Sequence, residues 1–79
     1  MEIKNIEADI ILFLEKNILS EGVKINADTV LRDMGIDSFS IVEIILFIER
    51  KYDYSIPDEK LIPDNFKTIT AISRLVMEI

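Results

Sequence analysis

The chain of 79 residues contains no cysteine and no histidine. Without cysteine it can form no disulfide bond, and without either residue it lacks the usual ligands for zinc, iron and copper. A serine nucleophile needs a general base, which is histidine in most such sites, so serine catalysis is disfavoured. The acids Asp28, Asp33 and Asp37 lack the ligand spacing of an EF-hand loop. We therefore expect no metal site and no enzymatic activity of this kind.

Long hydrophobic runs and an excess of basic residues are also missing. No apolar run approaches the roughly 18 residues that a membrane span needs, and the charged N-terminal stretch is unlike a signal peptide. The 15 acids outnumber the 9 bases and give a formal net charge of -6. An acidic surface repels phosphate backbones, which disfavours nucleic-acid binding. We expect a cytoplasmic protein that has no membrane span and does not bind nucleic acid.

Apolar residues in helical spacing are abundant, and hydrophobic residues make up 49% of the chain. The chain is long enough for one small domain and too short for two. Apolar residues at three- and four-residue intervals predict one helix from about Glu2 to Asn17 and another from about Ser38 to Tyr52. A last helix is expected to begin near Thr68, a favourable N-cap residue. No segment has the pattern of a strand.

The segments between these helices predict a long loop and one short helix. In residues 19–35 the apolar positions are too widely spaced for a long helix, so we expect a loop with one turn near Thr29–Leu31. Pro57 suits the first position of a short helix, which Pro63 would end. The sequence thus predicts an all-α fold, a single domain over residues 1–79. Its architecture would be a small antiparallel bundle of three main helices plus one short helix.

Two apolar groups separate around the second predicted helix. One arc is expected to face the core, and it holds Ile41, Ile44, Ile45, Ile48 and Tyr52. A second stripe, which consists of Phe39, Val42 and Leu46, lies to one side of this arc. Two acids, Glu43 and Glu49, lie beside the stripe. The pattern leaves two interpretations open, a helix buried on most sides or a partly exposed stripe that docks a partner. Phe47 falls on the side expected to be wet, unless the short third element covers it.

The stretch MGIDSFSIVEIILF places Ser38 where a loop becomes this helix. Asp and Ser are both favoured at a helix N-cap, so Asp37 or Ser38 can be a cap with no further role. Alternatively, Ser38 is a substrate, an exposed hydroxyl that another enzyme modifies. A phosphate attached at a helix N-terminus is favourably placed, because free N–H groups and the positive end of the helix dipole lie there. The residues alone leave both interpretations open.

The stretch LRDMGIDSFSIVEIILFIERKYDYSIPDE, residues 31–59, resembles the acyl carrier and peptidyl carrier proteins. Their hallmark is an Asp-Ser-hydrophobic triplet that follows a glycine-containing loop and precedes a helix with an early Glu. The matching positions here are Gly35, Asp37, Ser38, Phe39 and Glu43. An aromatic residue at the helix end and a following Ile-Pro pair also match, as Tyr52 and Ile56–Pro57. Length, acidity and the four-helix layout extend the resemblance over nearly the whole chain.

The resemblance implies a monomeric carrier that is not itself an enzyme. Ser38 would receive a 4′-phosphopantetheine arm from coenzyme A through a phosphopantetheinyl transferase, and Asp37 would support the modification site. The arm would hold an acyl or aminoacyl group as a thioester. The further partners would be loading and acyl-processing enzymes with basic docking patches. The surface that meets these enzymes would consist of Phe39, Val42, Glu43, Leu46 and Glu49.

Several positions depart from the pattern of the main fatty-acid carrier. Ser40 stands where that carrier usually has an acid, and Phe39 stands where Leu is commonest. Arg50 and Lys51 add positive charge to the end of a helix that is usually acidic. The stretch LIPDNFKTI is closer to carriers of specialised polyketide, peptide or amino-acid-loading pathways. A specialised carrier is the first hypothesis, and the alternatives are the main fatty-acid carrier and an unmodified acidic helical adaptor.

Overall fold

The fold is known from a computed structural model that describes residues 2–53 and 55–78. Three α-helices carry it: α1 (Ile3–Asn17), α2 (Ser38–Tyr52) and α3 (Ile69–Glu78). Three short 3₁₀ turns lie between them, at Leu31–Met34, Asp58–Lys60 and Pro63–Phe66. The described residues form no strand, although Val30 and Thr68 make an isolated antiparallel bridge. The predicted all-α fold with three main helices is confirmed.

The core lies where the three helices meet. α1 contacts both other helices, and α3 also packs on the 3₁₀ turn Pro63–Phe66. Fully buried aliphatic residues recur at intervals of three or four along each helix: Ile6, Ile10 and Leu14 in α1, Ile44 and Ile48 in α2, and Ile69 and Ile72 in α3. Ile41, Ile45 and Tyr52 pack against this core and are partly buried. The core-facing arc predicted for α2 is confirmed.

α1 covers one side of α2 through an aromatic contact. The rings of Phe13 and Phe47 stack with their centroids 4.4 Å apart and an angle of 19° between their planes. The prediction of a wet position for Phe47 is wrong, because Phe13 of α1 stacks on its ring and the side chain packs against the core. The Tyr52 hydroxyl adds a second tie between the helices by donating to Asp9 Oδ2 at 2.8 Å. These two contacts fix the position of α2 relative to α1.

The segment between α2 and α3 forms two short turns and not the single short helix that the sequence predicts. Pro57 is the N-cap residue of the first turn and not its first helical residue. Pro63 begins the second turn and does not end a helix. Its fixed φ and missing N–H suit a first helical position, where no hydrogen bond is lost. At the start of α3, Thr68 Oγ1 accepts from the Ala71 N–H at 3.0 Å, which confirms Thr68 as a cap.

Ser73 places an unbonded hydroxyl in the core. It is fully buried in α3, and its Oγ has no hydrogen-bond partner among residues 2–53 and 55–78. Leaving a buried polar group unpaired costs about 1–3 kcal/mol. We predict that Ser73→Ala raises the free energy of unfolding by about 1 kcal/mol in urea denaturation.

The matched control for this prediction is Ser40→Ala, which makes the same replacement at a half-buried position of α2. Both substitutions change helix propensity by the same amount. Ser40→Ala should therefore raise the free energy of unfolding by no more than about 0.5 kcal/mol. A Ser73→Ala protein that is no more stable than wild type would contradict the prediction.

Candidate functional site at the start of the second helix

A tight turn immediately before α2 sets where the helix begins. The 3₁₀ turn Leu31–Met34 ends at Gly35, whose φ of 78° lies in the left-handed region that glycine adopts without steric cost. The Ile36 N–H then donates to Leu31 O at 3.3 Å, and the Ile36 side chain is buried. The chain therefore enters α2 from a direction that a buried anchor and a hydrogen bond hold in place.

Asp37 is the N-cap residue of α2. Its backbone is extended, with φ of −96° and ψ of −174°, and its Oδ1 accepts from the Ser40 N–H at 3.0 Å. Its carbonyl oxygen accepts from the Ile41 N–H, also at 3.0 Å. The sequence leaves Asp37 and Ser38 as alternative caps, and the structure assigns this role to Asp37. Capping therefore does not explain Ser38.

Asp37→Ala should lower the free energy of unfolding by about 1 kcal/mol, because the Ser40 N–H loses its acceptor. Urea denaturation measures this loss. Asp33→Ala is the matched control, since it removes the same charge from an exposed position in the preceding turn. Equal effects of the two substitutions would show that charge, and not the cap, is responsible.

Ser38 is the first residue of α2, and its side chain is exposed. Within the described ranges, no group forms a hydrogen bond with its hydroxyl. The chain has no histidine to activate this oxygen as a nucleophile. The hydroxyl is thus accessible from solvent and uncommitted, which is the arrangement that an enzyme acting on Ser38 from outside requires.

A groove with a volume of about 610 Å³ begins beside Ser38. From α2 it is lined by Ile41 and Ile45, and from the segment before α3 it is lined by apolar and charged side chains of residues 61–67. Two of its lining residues are cations, Arg32 and Lys67. Sequence reasoning missed the groove because residues 30–32 and 61–67 lie outside the α-helices and have no periodic pattern that relates them to Ser38.

The second apolar stripe of α2 lies on its exposed side. The relative exposures of Phe39, Val42 and Leu46 are 73%, 51% and 48%. The stripe is therefore partly exposed and not buried, and its role in docking a partner stays a prediction. Glu43 beside it is half-buried. Glu49 is placed differently, because its Oε2 accepts from the Ile56 N–H at 2.8 Å and so ties down the segment that follows α2.

Neither a membrane span nor a metal cluster is found in the part of the chain that the structure describes. No helix there is long and apolar enough to cross a membrane. No group of three or more acidic side chains there is arranged to hold a metal ion.

Comparison with proteins of known family gives a consistent result. Residues 16–76 match the family described as "Phosphopantetheine attachment site". Aminoacyl carrier protein 1 of Bradyrhizobium diazoefficiens is 34% identical over 64 residues, which cover 81% of this chain and 69% of that protein. The acyl carrier protein of Clostridium perfringens strain 13 is 32% identical over 69 residues, which cover 80% and 88% of the two chains.

Solved structures show the same likeness. The carrier protein in a Bradyrhizobium japonicum complex with its glycine:[carrier protein] ligase and a glycyl adenylate analogue has a TM-score of 0.77 and 27% identity. That alignment covers 98% of this chain and 97% of the other. The holo acyl carrier protein of Nitrosomonas europaea gives a TM-score of 0.61 at 25% identity and covers 96% and 88% of the two chains.

The site fits the prosthetic group of this family. Ser38 offers an exposed oxygen for attachment, and the neighbouring groove combines apolar side chains with two cations, which suits an organic arm that bears a phosphate. The group supplies a terminal thiol, which a chain without cysteine lacks. The chain therefore belongs to the phosphopantetheine attachment site family and is a non-catalytic carrier protein with a 4′-phosphopantetheine prosthetic group.

Proposed function

We propose that Ser38 carries the 4′-phosphopantetheine group and that the chain presents an aminoacyl or related specialised acyl group to partner enzymes as a thioester. The observation that carries this proposal is the exposed and unbonded Ser38 hydroxyl at the start of α2. Asp37 supports the site by capping the helix, which fixes the position of the residue that follows it. In this proposal residues 1–79 act as one monomeric carrier domain in the cytoplasm.

The aminoacyl cargo is supported by the relatives. Two aminoacyl carrier proteins of Bradyrhizobium diazoefficiens are 34% and 30% identical to this chain. A second complex of the Bradyrhizobium japonicum ligase, with a glycylated carrier protein, contains a chain that superposes with a TM-score of 0.73. Ser40, Arg50 and Lys51 also leave α2 less acidic than is usual for the main fatty-acid carrier. That carrier remains the second candidate, because the Clostridium relative is named an acyl carrier protein.

The exposed stripe of α2 is the proposed docking surface for the transferase and for the loading enzyme. Phe39, Val42 and Leu46 supply its apolar area, and Glu43 supplies an acidic group for a basic patch on the partner. Apolar area that is exposed and contiguous is typical of protein interaction sites. Glu49 contributes indirectly, since its carboxylate is engaged with the Ile56 N–H and holds the adjacent segment.

Modification by a promiscuous phosphopantetheinyl transferase tests the attachment site. We expect the purified apo chain, incubated with coenzyme A and magnesium, to gain the mass of one phosphopantetheine group by intact-protein mass spectrometry. Ser38→Ala should gain nothing, while the control Ser40→Ala should gain the same mass as wild type. No gain in wild type would favour the unmodified adaptor over the carrier.

Loading of the holo chain tests the cargo. With the Bradyrhizobium japonicum glycine:[carrier protein] ligase, ATP and glycine, we expect one further mass gain equal to a glycyl group. The apo chain, which has no arm, is the control and should gain nothing. Loading by a fatty-acid malonyl transferase, with none by the ligase, would contradict the aminoacyl proposal and favour the main fatty-acid carrier.

A further inference from the structure

The groove beside Ser38 contains two cations whose side chains form no ion pair within residues 2–53 and 55–78. Arg32 and Lys67 both line the groove and are both exposed. Neither forms a salt bridge with any acid in the described part of the chain. The chain as a whole has a net charge of -6. Two unpaired cations in one groove of an acidic protein indicate a site for an anion.

The backbone holds the two segments that carry these cations side by side. Val30 and Thr68 form the isolated antiparallel bridge, and the Leu31 N–H donates to Lys67 O at 3.0 Å. Arg32 follows Leu31 directly in the 3₁₀ turn that leads to α2. This crosslink keeps the two cations at one groove, although 35 positions separate them along the chain.

Two acids also line the groove, and neither forms a salt bridge with Arg32 or Lys67. The carboxylate of Asp37 accepts from the Ser40 N–H and serves as the helix cap. Asp64 is exposed in the turn Pro63–Phe66 and makes no salt bridge to a described residue. The remaining lining is largely apolar, with Ile41 and Ile45 from α2 and Ile62 from the opposite segment.

We propose that Arg32 and Lys67 bind the phosphodiester of the arm attached to Ser38 and lay the arm along the groove. This inference rests on the proposed attachment site. A guanidinium group binds phosphate through paired hydrogen bonds, and an ammonium group adds a second positive charge. The attachment raises the local concentration of the phosphodiester far above that of a free anion. Because both cations are exposed, salt screens the contact, and high salt should release the arm.

Comparison of apo and holo proteins by NMR tests the proposal directly. The test variant is Arg32→Gln/Lys67→Gln, and the matched control is Lys4→Gln/Arg74→Gln. The control removes the same charge from exposed positions that do not line the groove. The readouts are the apo-to-holo change in backbone amide shifts and the position and width of the ³¹P signal, each at low and high salt.

In wild type and in the control we expect the amide shift changes to extend from Ser38 to the groove residues Ile41 and Ile62. In the test variant the changes at the groove should fall at least twofold, and the ³¹P signal should narrow as the arm becomes mobile. High salt should reproduce this result in wild type. Two results would overturn the proposal. One is amide shift changes confined to the neighbours of Ser38, and the other is equal changes at the groove in the test variant and the control.

Two further measurements separate the possible causes of a failed result. Intact mass shows whether each variant carries its arm, so a normal mass gain with no groove effect overturns this inference alone. Absence of the mass gain in wild type overturns the attachment proposal itself. Inorganic phosphate added to the apo protein at the protein's own concentration should leave the Arg32 and Lys67 signals unchanged. Saturation at that concentration would assign the site to free phosphate and overturn a role that depends on attachment.

Discussion

Ile44→Ala is expected to lower the free energy of unfolding by about 2–5 kcal/mol, the range for truncating a buried Ile to Ala. Ile44 is fully buried in α2, where it packs into the core formed with α1 and α3. The loss combines the transfer free energy of the deleted carbons with the cost of the cavity that remains. A domain of this size buries only about 60% of its unfolded surface, so this loss is a large part of its total stability.

Urea denaturation followed by helical circular dichroism measures the effect. Val42→Ala is the matched control, since it shortens a β-branched residue of the same helix that is 51% exposed. It should change the free energy of unfolding by less than about 0.5 kcal/mol. Similar values for the two variants would contradict the assignment of the buried and exposed faces of α2.

Phe39→Ala is expected to reduce modification and loading without affecting the fold. Phe39 has the most exposed side chain of the stripe, at 73%, and it immediately follows Ser38. An aromatic residue at the centre of an interface commonly contributes about 2 kcal/mol or more to binding. The expected result is a fall of about 30-fold in kcat/KM of the transferase, which corresponds to that free energy.

The control for this prediction is Leu12→Ala, which removes an apolar side chain of α1 that is 52% exposed and lies away from Ser38. Its kcat/KM should stay within about twofold of wild type, and both variants should unfold at the urea concentration of wild type within error. A transferase that modifies Phe39→Ala as fast as wild type would show that the stripe does not dock this partner.

The parts of the fold that periodicity encodes were predictable. Helical spacing predicts α1, the bounds of α2 and its buried arc, because apolar residues at three- and four-residue intervals fall on one face of a helix. Thr68 was identified as a cap because its side chain acts locally on the chain. Spacing does not decide the exposure of the apolar stripe, since it shows that a face is apolar and not what covers it.

The features that depend on tertiary contacts were not predictable from the pattern. The stacking of Phe47 on Phe13 requires the position of α1 relative to α2. The engagement of Glu49 with the Ile56 N–H depends on how the chain turns after α2. The choice of Asp37 over Ser38 as cap needed the hydrogen bond itself, since both residue types are favoured there.

The groove beside Ser38 also depends on tertiary contacts and was not predictable from the sequence pattern. Its cations come from two segments that the bridge between Val30 and Thr68 brings together. Charge along the sequence indicates only that the chain is acidic overall. The prediction of one short helix between Pro57 and Pro63 is wrong, because proline is compatible with more than one position at a 3₁₀ turn.

Fragmentation mass spectrometry of the wild-type protein, produced together with a phosphopantetheinyl transferase, tests the central claim most directly. The chain has five serines, at positions 20, 38, 40, 55 and 73, and backbone fragments distinguish them. The account predicts one added phosphopantetheine group, located on Ser38. An unmodified protein, or an arm found on any other serine, would contradict it.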